Sequence, residues 1–281
     1  MKTGFLIVNY NDFQTTSTLL ENIKSYSILD KIVVVDNKSK DDSFERLRNM
    51  YTSDKIAVIQ NTANKGYGSG INFGAKYLEE TIGICNIIVS NPDIVIYKEE
   101  DLIKLIQMKK DECAILAPVI KEHEGYNRGW KVPTPLQDAL LNLPYIHRFL
   151  RKTLLHYKDG FFTKKLVEVE AVSGCFFMID GRYLKQVDYF DENVFLYYEE
   201  NIIAKKMENI GKKTYICTDV EVFHNHSVTI DKSINKANKY LALKKSQMYF
   251  QKHYNNAGSF ARMMLKWSAK FSYFVLYSFK K

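Results

Sequence analysis

The 281-residue sequence has little cysteine, little proline and no long apolar segment. Its 4 cysteines stand tens of residues apart without a Cys-x-x-Cys pair, which excludes the spacing of zinc and dithiol sites and favours buried thiols in a reducing compartment. No stretch approaches the roughly 18 consecutive apolar residues of a membrane-spanning helix. The apolar run at residues 5–8 is too short for the core of a secretory signal peptide, so we expect a cytoplasmic protein.

The composition is that of a globular chain with an excess of positive charge. Hydrophobic residues make up 46% and charged residues 26%, which excludes disordered and collagen-like chains. Lys and Arg number 40 against 32 Asp and Glu, giving a net charge of +8. That balance favours polyanionic partners, which comprise nucleic acids, anionic lipids and phosphate-rich small molecules.

Strand-like and helix-like patterns alternate over the first hundred residues. Apolar runs typical of strands lie at residues 4–8, 31–35, 56–59 and 86–89, and amphipathic segments at 12–27 and 69–80 predict helices between them. This alternation predicts a parallel α/β sheet whose site lies at the carboxyl ends of the strands. We therefore expect one pocket to be formed by the polar residues that follow these strands, at positions 9–12, 36–37, 61–70 and 90–93.

The rest of the chain is less regular. Residues 121–168 lose the alternation and are interpreted as a variable insertion. Regular patterns return at 169–179, in a predicted helix over 198–210 and in strand-like runs at 213–217 and 222–224. We expect a main domain over residues 1–235, followed by a helical extension over 236–281 that is rich in basic and aromatic residues.

A glycine-rich stretch runs from Asn64 to Gly74 between a strand and a helix. Such a loop can cradle phosphates or can simply form a tight turn, and the pattern leaves both interpretations open. The sequence argues against a dinucleotide fingerprint, since its glycines belong in the first strand-to-helix turn, where this chain has Asn9-Tyr10-Asn11.

Asp93 and His224 are candidate metal ligands. Asp93 ends an Asn91-Pro92-Asp93 segment directly after a strand and offers a hard oxygen ligand, although such a turn is more often structural. His224 and His226 follow a later strand, and an imidazole beside Asp93 would complete a mixed nitrogen and oxygen site.

Glu199 and Glu200 form a pair of acids at the start of a predicted helix, preceded by an aromatic run. Acids there suit the helix dipole, which is the structural interpretation. The functional one is a general base whose basicity is raised by partial burial, and helical geometry allows only one of the two to face a given pocket.

The order and spacing of these segments resemble the family 2 glycosyltransferases with a GT-A fold, and among them the bacterial rhamnosyltransferase-like branch. The likeness covers roughly residues 3–228 and is carried by IVNYN at 7–11, VVDNKS at 34–39, NKGYG at 64–68 with Asn72 and Gly74, NPD at 91–93, SGCFF at 173–177, and residues 190–200 and 222–224.

The resemblance implies a single Rossmann-like mixed sheet flanked by helices, with a C-terminal helical extension. It also implies an inverting, metal-dependent transfer of a sugar, here rhamnose from dTDP-rhamnose, to a glycan or lipid-linked acceptor of a bacterial surface polysaccharide. The alternatives are transfer from a UDP-hexose or UDP-galactofuranose, and a non-catalytic relative that binds nucleotide or glycan.

The resemblance assigns roles by position. Residues implied to bind the nucleotide-sugar are Val8, Asn9, Tyr10, Asn11, Asp36, Asn37, Asn64, Lys65, Gly66, Tyr67, Asn72, Asn91 and Asp93. Glu200, with Glu199 beside it, is implied as the catalytic base. Asp93 and His224 would bind Mn²⁺ or Mg²⁺, and Gly174, Cys175 and Tyr198 would face the acceptor. Asn91, Glu200 and Ile202 depart from the family pattern, which has an acid, an Asp and a second Asp at these positions.

Two segments combine basic with aromatic residues. Arg262, Lys266 and Lys270 recur every four residues in the extension, and residues 145–165 form a second such segment. We expect peripheral contact with the inner face of the cell membrane, with a solvated basic face or a homodimer contact as alternatives. No nucleic-acid-binding motif is present, so nucleic acid is not expected as a partner.

Overall fold

A computed structural model of the chain describes residues 1–225 and 236–277. The contribution expected of His226 lies outside the described residues. The strands are β1 (Thr3–Asn9), β2 (Lys31–Asp36), β3 (Ile56–Gln60), β4 (Asn86–Ser90), β5 (Ile94–Val95), β6 (Cys113–Glu122), β7 (Gly125–Asn127), β8 (Leu166–Val169), β9 (Phe176–Asp180) and β10 (Lys213–His224).

Helices flank the sheet and make up most of the C-terminal part. They are α1 (Phe13–Ile23), α2 (Ser43–Tyr51), α3 (Tyr67–Ile82), α4 (Glu99–Gln107), α5 (Pro135–Leu141), α6 (Ile146–Leu155), α7 (Gly181–Gln186), α8 (Glu199–Asn209), α9 (Lys236–His253) and α10 (Ser259–Tyr277). A 3₁₀ turn covers Asp159–Phe161.

The described strands form one mixed sheet in the order β3-β2-β1-β4-β9-β6-β10-β5, with β7 paired to β6 and β8 to β10. The first four predicted strands are confirmed and pair in parallel in the order β3-β2-β1-β4. Strand β9 lies antiparallel between β4 and β6. The pattern expected over 169–179 is divided between β8 and β9, because the chain turns at residues 173–175 and enters the sheet at a different place.

The core lies on both faces of the sheet, and β1 shows why. Phe5 and Ile7 point to the side covered by α1 and α2, whereas Leu6 and Val8 point to the side covered by α3. Successive residues of a strand face opposite sides, so a strand covered on both faces is apolar throughout. This explains why the strand-like runs of the sequence are continuous rather than alternating. All 4 cysteines are buried thiols, as expected.

Two glycines of the glycine-rich stretch bring α3 close to the sheet. A Cβ on Gly74 would lie 2.1 Å from Leu6 Cδ1, and one on Gly70 would lie 2.8 Å from Val8 Cγ1. Gly70 and Gly74 therefore allow α3 to pack closely on the strands. Their contacts explain these two glycines without a tight turn or a bound phosphate.

The insertion and the extension meet on the surface of the molecule. Helix α5, from the insertion, packs against α10, and α10 packs against α9. A capping box starts α5, where Thr134 accepts a hydrogen bond from the backbone of Gln137 and Gln137 accepts one from Thr134. No helix in the described ranges 1–225 and 236–277 is long and apolar enough to cross a membrane.

Among the glycines of the stretch from Asn64 to Gly74, Gly66 is expected to tolerate substitution least. Its φ is +106° and a Cβ would lie 2.1 Å from the Phe195 carbonyl oxygen, so Gly66→Ala combines an unfavourable backbone with a backbone clash. We predict a loss of at least about 3 kcal/mol in the free energy of unfolding, measured by urea denaturation. The control is Gly83→Ala, where φ is +80° but nothing lies within 4 Å, and which should cost only about 1–2 kcal/mol. Equal losses would contradict a steric role for Phe195.

Candidate functional site

The predicted pocket residues after β1 and β2 come together around Asp36. Its carboxylate is fully buried and accepts hydrogen bonds from Asn9 Nδ2 at 2.9 Å, Gln60 Nε2 at 3.1 Å, and both the backbone N–H and the hydroxyl of Ser39 at 2.9 and 2.5 Å. The amide oxygen of Asn9 in turn accepts from Thr16 Oγ1 at 2.8 Å. Asp36 thus fixes the ends of three strands relative to one another.

Asn37 connects these strand ends to the glycine-rich loop. Its Nδ2 donates to the Gly66 carbonyl at 3.0 Å and to Asn64 Oδ1 at 3.2 Å. Asn64 Oδ1 also accepts from the Gly66 N–H at 3.1 Å. The loop before α3 is therefore held in place by side chains from the neighbouring strand end.

The other predicted nucleotide-sugar residues differ in accessibility. Val8 is buried against Gly70, Tyr10 and Asn11 are half-buried, and Lys65 is exposed. Asn11 has a φ of 52° and its amide oxygen accepts from the Lys40 backbone at 2.7 Å. A left-handed Asn is a common way to turn the chain sharply after a strand.

Asn72, predicted to bind the nucleotide-sugar, is buried and its side chain bonds within the protein. Its side chain donates to the Phe190 carbonyl and accepts from the Phe190 N–H, both at 2.9 Å, and also donates to Glu192 Oε1 at 3.0 Å. This places Asn72 as a brace between α3 and the segment after α7. Direct contact with a nucleotide-sugar stays a prediction.

Gly174 stands at the centre of the site. Tyr67 Oη donates to its carbonyl at 2.9 Å, and its N–H donates to Glu200 Oε1 at 3.2 Å. The next carbonyl, of Cys175, accepts from the Asn91 N–H at 2.7 Å. The turn at 173–175 therefore joins three predicted site segments: the glycine-rich loop, the Asn-Pro-Asp segment and the paired acids.

The paired acids are both poorly hydrated. Glu199 is 6% exposed, and its Oε2 has no hydrogen-bond partner among the described residues. Burial raises the pKa of Glu199 well above its usual range, and the nearby charge of Glu200 raises it further. Burial also raises the pKa of Glu200, but the Gly174 N–H stabilises its charged form. The pair therefore retains a proton more readily on Glu199 than on Glu200.

A narrow cavity runs beside these acids and is lined by Tyr67, Gly174, Phe177, Phe190, Glu199 and Glu200, among others. Burial raises the pKa of Tyr67 well above its usual range, and the negative groups around it, including Glu199, Glu200 and Asp93, add to the shift. Tyr67 therefore stays protonated and remains a hydrogen-bond donor. The Asn-Pro-Asp segment, Tyr67 and the acid pair thus share one electrostatic environment.

The backbone before the acids is strained. Tyr197 and Tyr198 have φ values of 70° and 69°, a left-handed conformation that costs each of these residues of the order of 1–3 kcal/mol unless the surroundings enforce it. The Tyr198 hydroxyl donates to Asp138 Oδ1 at 2.7 Å. Tyr198 therefore bonds to the insertion helix, and its predicted place facing an acceptor stays untested, like those of Gly174 and Cys175.

Asp93 and His224 form the predicted pair. His224 Nε2 lies 3.3 Å from Asp93 Oδ1, and their side chains are only 12% and 10% exposed. Pairing of β5 with β10 creates the contact, since His224 stands opposite Ile94. Burial by itself lowers the pKa of His224, but hydrogen bonds to Asp93 and Cys175 outweigh it and raise the pKa to about 10.

The Asp93 and His224 side chains fit a divalent cation whose remaining ligands come from water and from the phosphates of a bound substrate. Among residues 1–225 and 236–277, no group of three or more His, Cys, Asp and Glu side chains is arranged to hold a metal. A carboxylate oxygen and an imidazole nitrogen supply two ligands suited to Mn²⁺ or Mg²⁺, which commonly take their remaining ligands from water and substrate phosphates. Binding would release the imidazole proton.

Several residues of this region were not predicted. Ser39, Thr16 and Gln60 complete the hydrogen bonds around Asp36 and Asn9, and Glu122 Oε1 lies 3.9 Å from His224 Nδ1. Ser39 lies in VVDNKS at 34–39, one of the segments that carry the family resemblance. Gln60 and Glu122 carry no sequence signal, because their partners come from distant parts of the chain. Thr16 lies only 7 residues from Asn9, but nothing in the pattern of α1 marks it as the partner of that amide.

Residues 5–186 match the sequence profile of the family described as Glycosyl transferase family 2. The chain belongs to glycosyl transferase family 2. The matched segment contains the Asp36, Gly66, Asp93 and Gly174 regions and ends before Glu199, Glu200 and His224.

A curated relative of this family 2 chain is the low-salt glycan biosynthesis hexosyltransferase Agl10 of Haloferax volcanii. It is 28% identical over 230 residues, which cover 80% of this chain and 67% of the relative.

Solved structures resemble the whole fold. The mannosyltransferase PcManGT of Pyrobaculum calidifontis, solved with GDP-Man and Mn²⁺, has a TM-score of 0.59 at 13% identity, over 97% of this chain and 72% of that one. GalNAc-T7, solved with UDP, GalNAc and Mn²⁺, has a TM-score of 0.64 at 14% identity, over 99% of this chain and 57% of that one. S. aureus TarS 1-349 with UDP-GlcNAc has a TM-score of 0.58 at 16% identity, over 98% and 73%. The GT-A fold is confirmed, and the rhamnosyltransferase-like branch stays a prediction.

Gly174→Ala should displace the Glu200 carboxylate while leaving the fold intact. A Cβ there would lie 2.7 Å from Glu200 Oε1 and 3.2 Å from its Cγ, both on a side chain that can move. We predict that the turnover number for nucleotide release falls about 10- to 100-fold, with a melting temperature close to that of the wild type. The control is Gly160→Ala, since a Cβ at Gly160 meets nothing within 4 Å. Unchanged turnover would show that the position of Glu200 does not matter.

Proposed function

We propose that this protein is an inverting, metal-dependent glycosyltransferase in which Glu200 is the catalytic base. The observation that carries the proposal is the Gly174 turn, which binds Glu200 through its N–H and Tyr67 through its carbonyl. The Gly174 turn holds the Glu200 side chain beside the polar segments that follow the C-terminal ends of the parallel strands. This is where open α/β folds bind their ligands.

The reaction needs one base and one displacement. The Glu200 carboxylate takes the proton of an acceptor hydroxyl, and that oxygen attacks the anomeric carbon of the donor sugar. The bond from this carbon to the diphosphate oxygen breaks, and its electron pair leaves with the nucleoside diphosphate. A single displacement inverts the anomeric configuration, and no second carboxylate is required as a nucleophile.

The chain's other residues bind and orient. Asp93 and His224 would hold the divalent cation, which neutralises charge on the departing diphosphate. The Asn9, Asp36 and Asn37 strand ends would bind the base and ribose, and the loop from Asn64 to Tyr67 would line the diphosphate and sugar. Glu199, with its raised pKa, keeps a proton and so avoids a second negative charge beside the base.

The donor we propose to test first is dTDP-rhamnose, as the resemblance implies, with a UDP-hexose and UDP-galactofuranose as alternatives. The relative in H. volcanii is a hexosyltransferase of glycan biosynthesis, which supports transfer of a six-carbon sugar to a glycan or lipid-linked acceptor. A non-catalytic relative that binds nucleotide is the remaining alternative, and it would bind without turnover.

Release of nucleotide from a panel of nucleotide-sugars, with Mn²⁺ or Mg²⁺ and with chelator, tests the proposal. We predict release from one donor that chelator abolishes. Asp93→Asn should weaken donor binding, whereas Glu200→Gln should retain binding and lose at least about 100-fold in turnover. The controls are Asp219→Asn and Glu168→Gln, which change acids that pair with surface lysines.

Metal-independent release, or full activity of Glu200→Gln, would contradict the mechanism. Binding of a nucleotide-sugar without release from any donor, in the presence of glycan and lipid-linked acceptors, would favour the non-catalytic alternative.

We also propose that α6 and α10 form a surface that contacts anionic lipid. Here the basic-aromatic surface denotes Arg148, Phe149 and Arg151 of α6 with Lys266, Trp267, Lys270, Phe271 and Phe274 of α10. Phe149 is 74% exposed, Trp267 61% and Phe274 54%, and the rings of Trp267 and Phe271 stack. Neither helix contains an acidic residue. Exposed aromatic rings among uncompensated cations are typical of a membrane-interface helix.

Trp267→Ala should weaken sedimentation with phosphatidylglycerol-containing vesicles at least about 10-fold, because a large apolar side chain is lost from the interface. The matched control is Met50→Ala on α2, which is 63% exposed on another helix. Equal binding to pure phosphatidylcholine vesicles would contradict a preference for anionic lipid. An effect of Trp267→Ala on self-association, with vesicle binding unchanged, would favour the homodimer alternative.

A further inference from the structure

Helix α9 is bonded to the segment that leads into the paired acids. Ser246 Oγ donates to the Leu196 carbonyl at 2.8 Å, and Gln247 Nε2 donates to Tyr198 Oη at 3.0 Å. Just upstream, Asp191 Oδ2 accepts from Tyr249 Oη at 2.9 Å and from Tyr254 Oη at 2.6 Å. Residues 191–198 are thus bound at three points by the C-terminal helices.

Apolar packing supports the same segment. Val194, Ile202 and Phe250 form a small buried cluster of their own, with Tyr198 packed against it. The Tyr198 and Phe250 rings lie 5.5 Å apart. One helix therefore contacts residues on both sides of the paired acids.

Asp138 of the insertion anchors this arrangement. It is 2% exposed, and it accepts from Tyr198 Oη at 2.7 Å and from Gln251 Nε2 at 2.6 Å. Burial raises the pKa of Asp138 to about 6, although the hydrogen bonds from Tyr198 and Gln251 oppose the shift. Gln251 is also buried and donates to the Pro133 carbonyl at 2.9 Å.

We propose that Asp138 and Tyr198 are positioning residues, which hold the strained turn at 197–198 so that Glu200 meets the Gly174 N–H. The proposal rests on the proposed function, since it assigns a use to Glu200. Two consecutive left-handed tyrosines persist only where their surroundings hold them. Here Asp138, inside the matched family segment, and the C-terminal extension, outside it, supply those surroundings jointly, so the position of Glu200 depends in part on a region beyond that segment.

The test compares Tyr198→Phe and Ser246→Ala with Tyr215→Phe. Tyr198→Phe removes the hydroxyl bound to Asp138 and keeps the ring, and Ser246→Ala removes one bond from α9 to the segment. Tyr215→Phe is the matched control, because it removes a hydroxyl that donates to Glu112 Oε1 at 2.8 Å elsewhere in the chain.

Hydrogen–deuterium exchange of residues 191–203 should accelerate at least about 10-fold in the first two variants and stay unchanged in Tyr215→Phe. With the donor found in the nucleotide-release panel, the turnover number should fall about 10-fold or more, with the KM for the donor unchanged.

Unchanged exchange in folded Tyr198→Phe and Ser246→Ala proteins would overturn the proposal, as would faster exchange with full turnover. If Tyr198→Phe does not fold, Asp138→Asn decides by the same exchange measurement, since it keeps the size of the side chain and removes the negative charge to which Tyr198 and Gln251 donate. If the wild type releases no nucleotide from any donor, the proposed function fails, and the exchange comparison still decides whether Asp138 and Tyr198 hold the turn.

Discussion

The absence of a side chain at Gly174 is the constraint on which the site depends. Its N–H can reach Glu200 only because no Cβ occupies the space 2.7 Å from that carboxylate. Its carbonyl accepts from Tyr67 at the same time, so one residue bonds both to the glycine-rich loop and to Glu200. The neighbouring carbonyl of Cys175 adds the Asn-Pro-Asp segment through Asn91. The proposed single displacement requires the acceptor hydroxyl and the departing diphosphate on opposite sides of the anomeric carbon, and a turn bonded to both the glycine-rich loop and Glu200 would hold the two sides in register.

Electrostatics separates the roles of the acids. Glu199 and Glu200 are adjacent in sequence, but the Gly174 N–H bonds to Glu200 and favours its charged form, whereas the charge of Glu200 raises the pKa of Glu199. Glu199 is more deeply buried, and Asp36 is committed to holding strand ends. Asp93 pairs with His224 across β5 and β10, where a cation would replace the imidazole proton. Four carboxyl groups thus have four different environments, which fits the different tasks proposed for them.

Apolar runs in the sequence predicted the strands that are buried on both faces of the sheet. The apolar runs of β1, β2, β3 and β4 were found because a strand buried on both faces is apolar throughout. The direction of β9 was not predicted, because it depends on which strands the chain inserts between. Asp93, Gly174 and Glu200 could be singled out from the sequence because they lie in segments that carry the family resemblance, and their roles stay predictions. Asp138 was not, since one acid in a short amphipathic helix carries no sign that Tyr198 and Gln251 will be its partners.

In the proposed mechanism, Asp93 and His224 would bind the divalent cation, and Glu200 would accept the proton of the acceptor hydroxyl. Anomalous diffraction from a crystal grown with Mn²⁺ and a nucleoside diphosphate tests it most directly. The account predicts a manganese peak within bonding distance of the Asp93 carboxylate and His224 Nε2, with Glu199 and Glu200 free of metal. A peak between Glu199 and Glu200 would contradict the account, because it would make the paired acids the metal site and leave the reaction without its proposed base.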